Sequence, residues 1–432
     1  MKPLPLAALL GLAVLRLPAA PAPLTLEECL RLAAAQHPAV AAAQAGVTVA
    51  TEAVGEARAP YFPQVDLSAG FHRWQKRAFL PSGLVLPGHA LPELIGPLDD
   101  WTGGVSSHVT LYDFGERKAG LDAAVARRAA ATADVDTTQA AVRWSVQSAF
   151  CAFAAAQDLQ AVAEKNLART EQHLRMVEVR RQAGAVPQAD VLRLQAEVAD
   201  ARLQLLGTQS SVRVAGGRLN TAMGRAADTP LAIALPEPAA PPATEDLTAA
   251  TEHALAHRPE LVSAEKHATA ARAGVNAARA ARAPKLRADG AYGWNDVTWL
   301  PETREWQAGV SIDLPVFDGG SRSRRVGRSR AELAREEANL DNQRLQVRQE
   351  VWAAATELGR AWSAIAANEA NVQANAESLR VVQERYQNGA AVVSDLLDTQ
   401  TALAHAEAGL ATARWDYLAA RASYDRATGA VP

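Results

Sequence analysis

From Glu116 to Ala183, and again from Ser321 to Asn388, the chain runs without a proline through a sequence rich in Ala, Glu, Gln, Arg and Leu. These residues lose little rotamer freedom in a helix, and a helix of that length reaches on the order of 100 Å. A globular domain has no use for such an element. Apolar residues recur every seven positions: Val351, Leu358, Ile365, Val372, Leu379 and Tyr386, then Leu396, Leu403, Leu410, Tyr417 and Tyr424. Val191, Val198, Leu205, Val212 and Leu219 repeat the pattern earlier in the chain. Sustained sevens predict coiled-coil packing with a left-handed supercoil. Between the heptad runs lie QAGAVPQAD (182–190) and QNGAAVVSD (387–395), where a glycine ends one helix and a short turn starts the next. Two long antiparallel helical hairpins with exposed tips are expected.

The two hairpins belong to a duplication. Pro38 and Pro259, Pro63 and Pro284, and Phe71 and Tyr292 share an offset of 221 residues. Asp113 and Asp318, Gly184 and Gly389, Asp190 and Asp395, and Gln195 and Gln400 share an offset of 205. The offset changes only between residues 72 and 108, so the first copy carries an insertion there. Its Pro/Leu-rich part, residues 80–98, is read as a cap outside the barrel described below. The period is far longer than that of a solenoid. The division expected is a first repeat over 23–233 (hairpins 63–113 and 116–224), a Pro-rich linker over 234–246, and a second repeat over 247–432 (hairpins 285–316 and 320–428).

Each copy opens with helical sequence, about 26–58 and 246–282, that prolines end. Alternation then sets in. Val65, Leu67, Ala69 and Phe71 oppose Gln64, Asp66, Ser68 and Gly70; Val105, Val109 and Leu111 oppose Ser106, His108 and Thr110. In the second copy Leu286, Ala288, Tyr292 and Trp294 oppose Lys285, Arg287 and Asp289, and Trp306, Val310, Ile312 and Leu314 oppose Gln307, Ser311 and Asp313. Period two means strand. Strands of about ten residues, apolar on one face and polar on the other, suit a membrane barrel with a wet lumen. They are expected near 63–74, 102–113, 285–297 and 304–316. Most of the chain's tryptophans and tyrosines fall in or beside them, as at bilayer interfaces. Four strands cannot close a barrel, and an open edge in lipid leaves unpaired amides at several kcal/mol each. The chain must therefore oligomerise. A trimer gives a twelve-stranded barrel, and a dimer or tetramer also closes.

The first 22 residues read as a secretory signal: Lys2, an apolar run from Leu4 to Leu15, then small residues from Ala19 to Ala22. That run is too short to span a bilayer as a helix. Cys29 follows Glu27 and Glu28, which do not suit lipoprotein acylation; it and Cys151 read as small buried thiols. A net charge of -3 gives no reason to expect nucleic acid. There is no GxSxG, P-loop, clustered His/Cys ligand set or acid–base pair in a cleft, so neither an enzyme nor a cofactor is expected.

Taken together, LTLEECLRLAAAQHP (24–38), the HP-to-P spacing in both copies, LYDFG and PVFDGG at the strand-to-helix joins, and RYQNGAAVVSDLLDTQ (385–400) resemble the TolC family of outer-membrane efflux proteins. The resemblance spans essentially the whole mature chain. It implies a mainly α fold with a membrane β-barrel, in which a trimeric twelve-stranded barrel stands on an α-helical coiled-coil tunnel in the periplasm. The function implied is a passive duct of a tripartite efflux or type I secretion system. Its partners would be two further copies of itself, a periplasmic adaptor, an inner-membrane RND or ABC transporter and outer-membrane lipid.

By position, Tyr386 matches the tyrosine of the family's periplasmic gate, and Asp395 and Asp398 match two aspartates ringing the entrance. Gly184, Asp190 and Gly389 mark the hairpin tips beside which the adaptor docks. Ala391 stands where the family's type member has a gate arginine. Bland readings stand beside these. Tyr386 continues a heptad series, and acidic residues suit a helix start. Spaced i, i+3, Asp395 and Asp398 share a helix face; threefold symmetry would make a ring that favours cations. The competing function, a trimeric structural or adhesive coiled coil, predicts one stalk and one anchor rather than strands within each half.

Overall fold

A computed structural model describes residues 23–75, 98–234, 246–299 and 304–429, with short strand fragments between 78 and 95. The expected signal, most of the linker and the larger part of the 80–98 insertion lie outside the described residues. The helices are α1 (Leu26–Gln36), α2 (Pro38–Arg58), α3 (Glu116–Gln182), α4 (Gln188–Ala222), α5 (Leu247–His257), α6 (Pro259–Ala280), α7 (Ser321–Gln387) and α8 (Val393–Thr428). The long strands are β1 (Gln64–Trp74), β2 (Leu98–Tyr112), β3 (Lys285–Asp296) and β4 (Glu305–Asp313). The helical segment opening each copy is divided in two at its HP or RP dipeptide, because proline favours the first helical turn and disfavours helix in the residue before it. β4 stops at Asp313, short of the expected 316, just before Pro315, which has no N–H for a ladder.

The chain divides into two compact units. One comprises Met1–Val40, Gln139–Ala250 and Val351–Pro432. Near the start of α1, Thr25 and Glu28 form a reciprocal capping box: Glu28 N donates to Thr25 Oγ1 (3.2 Å) and Thr25 N to Glu28 Oε2 (2.9 Å). That box is the physical content of LTLEE. The face it orients places Cys29 and Ala33 in a core with Val146, Phe150, Phe153, Leu219 and Met223. Burial raises the Cys29 and Cys151 thiols to about 11, so both are inert packing residues. A second core joins the hairpin tips: Val177, Val191 and Leu194 with Leu379, Tyr386, Val393, Leu396 and Leu403. The heptad residues Val351, Leu358, Leu379, Leu396, Leu403 and Tyr417 are all buried.

The other unit comprises Ala41–Thr138 and Thr251–Glu350. Its sheet is antiparallel in the order β1-β2-β3-β4. Register aligns Leu67, Val105, Tyr292 and Trp306 in one row across all four strands, and Ala69, Gly103 and Trp294 in the next. The Trp294 indole lies across Gly103, where any side chain would collide with it. Asp66, Ser106, Ala291 and Gln307 form a row on the opposite face. A bulge between Thr110 and Tyr112 shifts the β2–β3 register at its end.

The strand-to-helix joins use one device twice. Asp113 accepts from Gly115 N (3.2 Å), Arg117 N (3.0 Å) and Arg117 Nε (2.7 Å). Asp318 accepts from Gly320 N (3.0 Å) and Arg322 N (2.9 Å). Burial alone would raise the Asp113 pKa, but the hydrogen bonds and charge of Arg117 outweigh it and hold it below the usual value. The chain reverses through left-handed residues there, Phe114 (φ 51) and Gly115 (φ 89), or Gly319 (φ 64) and Gly320 (φ 82). Within the same unit, Arg258 is buried and bonded to Glu260 (3.0 Å) and Glu350 (2.5 Å).

Candidate functional site

Two surfaces hold the residues singled out in the sequence: the sheet faces and the hairpin tips. The apolar sheet face is exposed in the single chain, with Leu67 at 83%, Trp306 at 78% and Ile312 at 72% of full accessibility. Soluble sheets do not leave such a face uncovered. β1 and β4 are both edge strands.

At the tips the two copies fold alike. Gly184 (φ 75) and Gly389 (φ 76) hold the left-handed position just past α3 and α7. Gly184 N bonds Arg181 O (3.0 Å) and Ala185 N bonds Arg180 O (2.9 Å); Gly389 N bonds Tyr386 O (3.1 Å) and Ala390 N bonds Arg385 O (2.8 Å). This is a Schellman ending, and only glycine takes that backbone without strain. The next helices begin alike, with Asp190 and Asp395 each donating N–H three residues back, to Pro187 O (3.2 Å) and Val392 O (3.1 Å).

Tyr386 is buried in the tip core, and its hydroxyl is buried without a partner among the described residues. Burial, and next the charge of Asp190, raise its pKa, while Arg180 opposes them. Tyr386 packs in one core with Val191, the residue after Asp190, across the two hairpins. Asp395 is exposed and accepts from Val392 N (3.3 Å), a local helix-start contact. Asp398 is exposed and makes no hydrogen bond or ion pair among the described residues. The helix-start role therefore accounts for Asp395 and leaves Asp398 unexplained.

The sequence profile of the family described as "Outer membrane efflux protein" matches residues 29–225 and 250–430. The chain belongs to that family. It is similar to protein CyaE of Bordetella pertussis, 30% identical over 88% of this chain and 78% of that one. It also resembles the pyoverdine export outer membrane protein OpmQ of Pseudomonas aeruginosa, 26% identical over 88% of this chain and 79% of its relative. Among solved structures, VceC of Vibrio cholerae superposes with a TM-score of 0.80 at 20% identity, covering 94% of this chain and 96% of VceC. The outer-membrane channel OprN superposes with a TM-score of 0.81 at 22% identity, covering 94% and 89%. The fold is that of the outer-membrane channels, and the main sheet among the described residues of one chain has four strands and two open edges. The family is one of channels rather than enzymes, and this efflux protein is an outer-membrane channel like its relatives.

Two features of this efflux protein escaped sequence reasoning. Arg180 reaches from α3 to the end of α7, donating Nη1 to Tyr386 O (2.9 Å) and Nη2 to Gln387 O (3.1 Å), with its guanidinium 5.2 Å from the Tyr386 ring centre. In the seam between α3 and α8, Gln400 Nε2 donates to Thr170 Oγ1 (2.5 Å) and Asn166 Oδ1 (3.3 Å) beside a buried His173. A bidentate Arg169–Glu407 pair (2.9 and 2.6 Å) lies next to them. The signal was available in α3: Asn166, Thr170, His173, Val177 and Arg180 follow the four–three spacing of a coiled-coil seam.

Proposed function

We propose that three copies of this chain form a passive, non-catalytic duct. A twelve-stranded barrel opens outward, the heptad helices form the tunnel, and the hairpin tips form a periplasmic gate. The observation that carries this reading is the sheet: four strands, an apolar row across all of them, and two edges without partners. A closed barrel satisfies both edges and places the apolar face in lipid. The two copies, 23–233 and 247–432, then alternate around the ring.

At the tips Tyr386 acts as a gate residue packed between hairpins. Asp395 and Asp398 from three protomers ring the entrance and admit cations more readily than anions. Gly184, Asp190 and Gly389 shape the turns on which a periplasmic adaptor docks. That adaptor couples the duct to an energised inner-membrane pump of the RND or ABC class.

Planar-bilayer recording of the purified protein tests this reading. The wild type should conduct and be blocked by lanthanum added on the periplasmic side. The D395A/D398A double variant should need about tenfold more lanthanum, equivalent to ~1.4 kcal/mol. Unchanged block would remove both aspartates from the entrance ring, and no conductance would contradict the duct.

A further inference from the structure

We infer that Arg180 is a latch that holds the second hairpin tip against the first and keeps the periplasmic entrance closed. This rests on the reading of the tips as a gate and adds a residue to it. The last turn of a helix leaves carbonyls without intrahelical donors. At the end of α7 the Schellman bonds serve Arg385 O and Tyr386 O. Gln387 O receives its donor from Arg180, on the other hairpin, and Tyr386 O receives a second one from it. The cation thereby sits at the negative end of the α7 dipole and against the face of the Tyr386 ring.

The duplication supplies an internal comparison. Arg385 occupies the equivalent position in the second copy, and it donates to Ala390 O (3.3 Å) within its own turn. Equivalent arginines in equivalent turns therefore do different work: Arg385 braces one tip, while Arg180 ties two tips together. Moving the α7–α8 tip away from the α3–α4 tip breaks both Arg180 bonds and uncovers Tyr386, which shares a core with Val177, Val191 and Leu194.

The test is single-channel recording of the full chain in planar bilayers, with R180A, R180K and R385A alongside the wild type. Loss of two charge-assisted bonds should raise the open-to-closed ratio of R180A about tenfold or more. R180K, which keeps the charge but not the two-nitrogen fork, should fall between. R385A should behave as wild type. Oligomer size and melting temperature are measured for each variant, and R180A should keep both, which separates a latch from a folding defect. Wild-type gating in R180A, or an equal rise in R385A, would overturn the latch. D395A/D398A recorded in the same series separates the two claims. If that variant loses lanthanum block while R180A gates normally, the entrance stands and the latch fails; if lanthanum block and gating are both unmoved, the gate reading itself fails.

Discussion

His173 shows how one side chain can report on the seam that positions the tips. It is buried, and its Nδ1 has no hydrogen-bond partner among the described residues. Burial lowers its pKa below the usual value, against a contribution from Gln400 and with a smaller push from the Arg169 charge. A histidine whose folded pKa is depressed takes up its proton more readily when unfolded. Its share of stability is then complete above the ordinary imidazole pKa of about 6.5 and is lost as pH falls below it. Melting temperature should fall between about pH 7 and pH 5. The H173Q variant should show a shallower fall over that range, and an unchanged slope would remove His173 from the cause. The sequence exposed the register of this residue but not its surroundings. Asn166, Thr170 and His173 occupy seam positions on α3, yet only the packing of α8 brings Gln400 onto them. The sequence equivalent of Gln400 in the first copy, Gln195, is exposed, so the duplication by itself gave no warning.

Among the elements, the two tips behave as near copies. Their glycines share a left-handed backbone and open surroundings, so replacing either costs backbone strain rather than a clash. G184A and G389A should each destabilise the folded chain by roughly 1–2 kcal/mol. Chemical denaturation checks this, and a neutral G389A would mean that the tip can end its helix another way. Helix periodicity, strand alternation and turn glycines were legible because each is a local consequence of backbone geometry. Element ends were less so. The heptad runs stop where the glycine turns of the tips begin, but the division of 26–58 at His37–Pro38 comes from a single proline, which disfavours helix in the residue before it. The cross-hairpin reach of Arg180 was also hidden, because Arg180 and Arg385 look identical in sequence and differ only in what a neighbouring hairpin offers them.

For the molecule as a whole, the sheet states the requirement that one chain cannot meet. Its order β1-β2-β3-β4 leaves two long edges, and the row Leu67, Val105, Tyr292 and Trp306 gives it an apolar face with no cover of its own. Alternation in the sequence was enough to foresee both, because register follows from which face must be buried. The number of copies was not legible, since two, three or four sheets of this kind can all close. Only curvature and neighbour contacts decide among them. Family membership points the same way as the strand count, to a channel in the outer membrane. The most direct test is the mass of the detergent-solubilised particle, measured by light scattering with the detergent contribution subtracted. Three chains per particle are expected at every protein concentration tested. A stable single chain would leave both sheet edges open and would contradict the trimeric barrel.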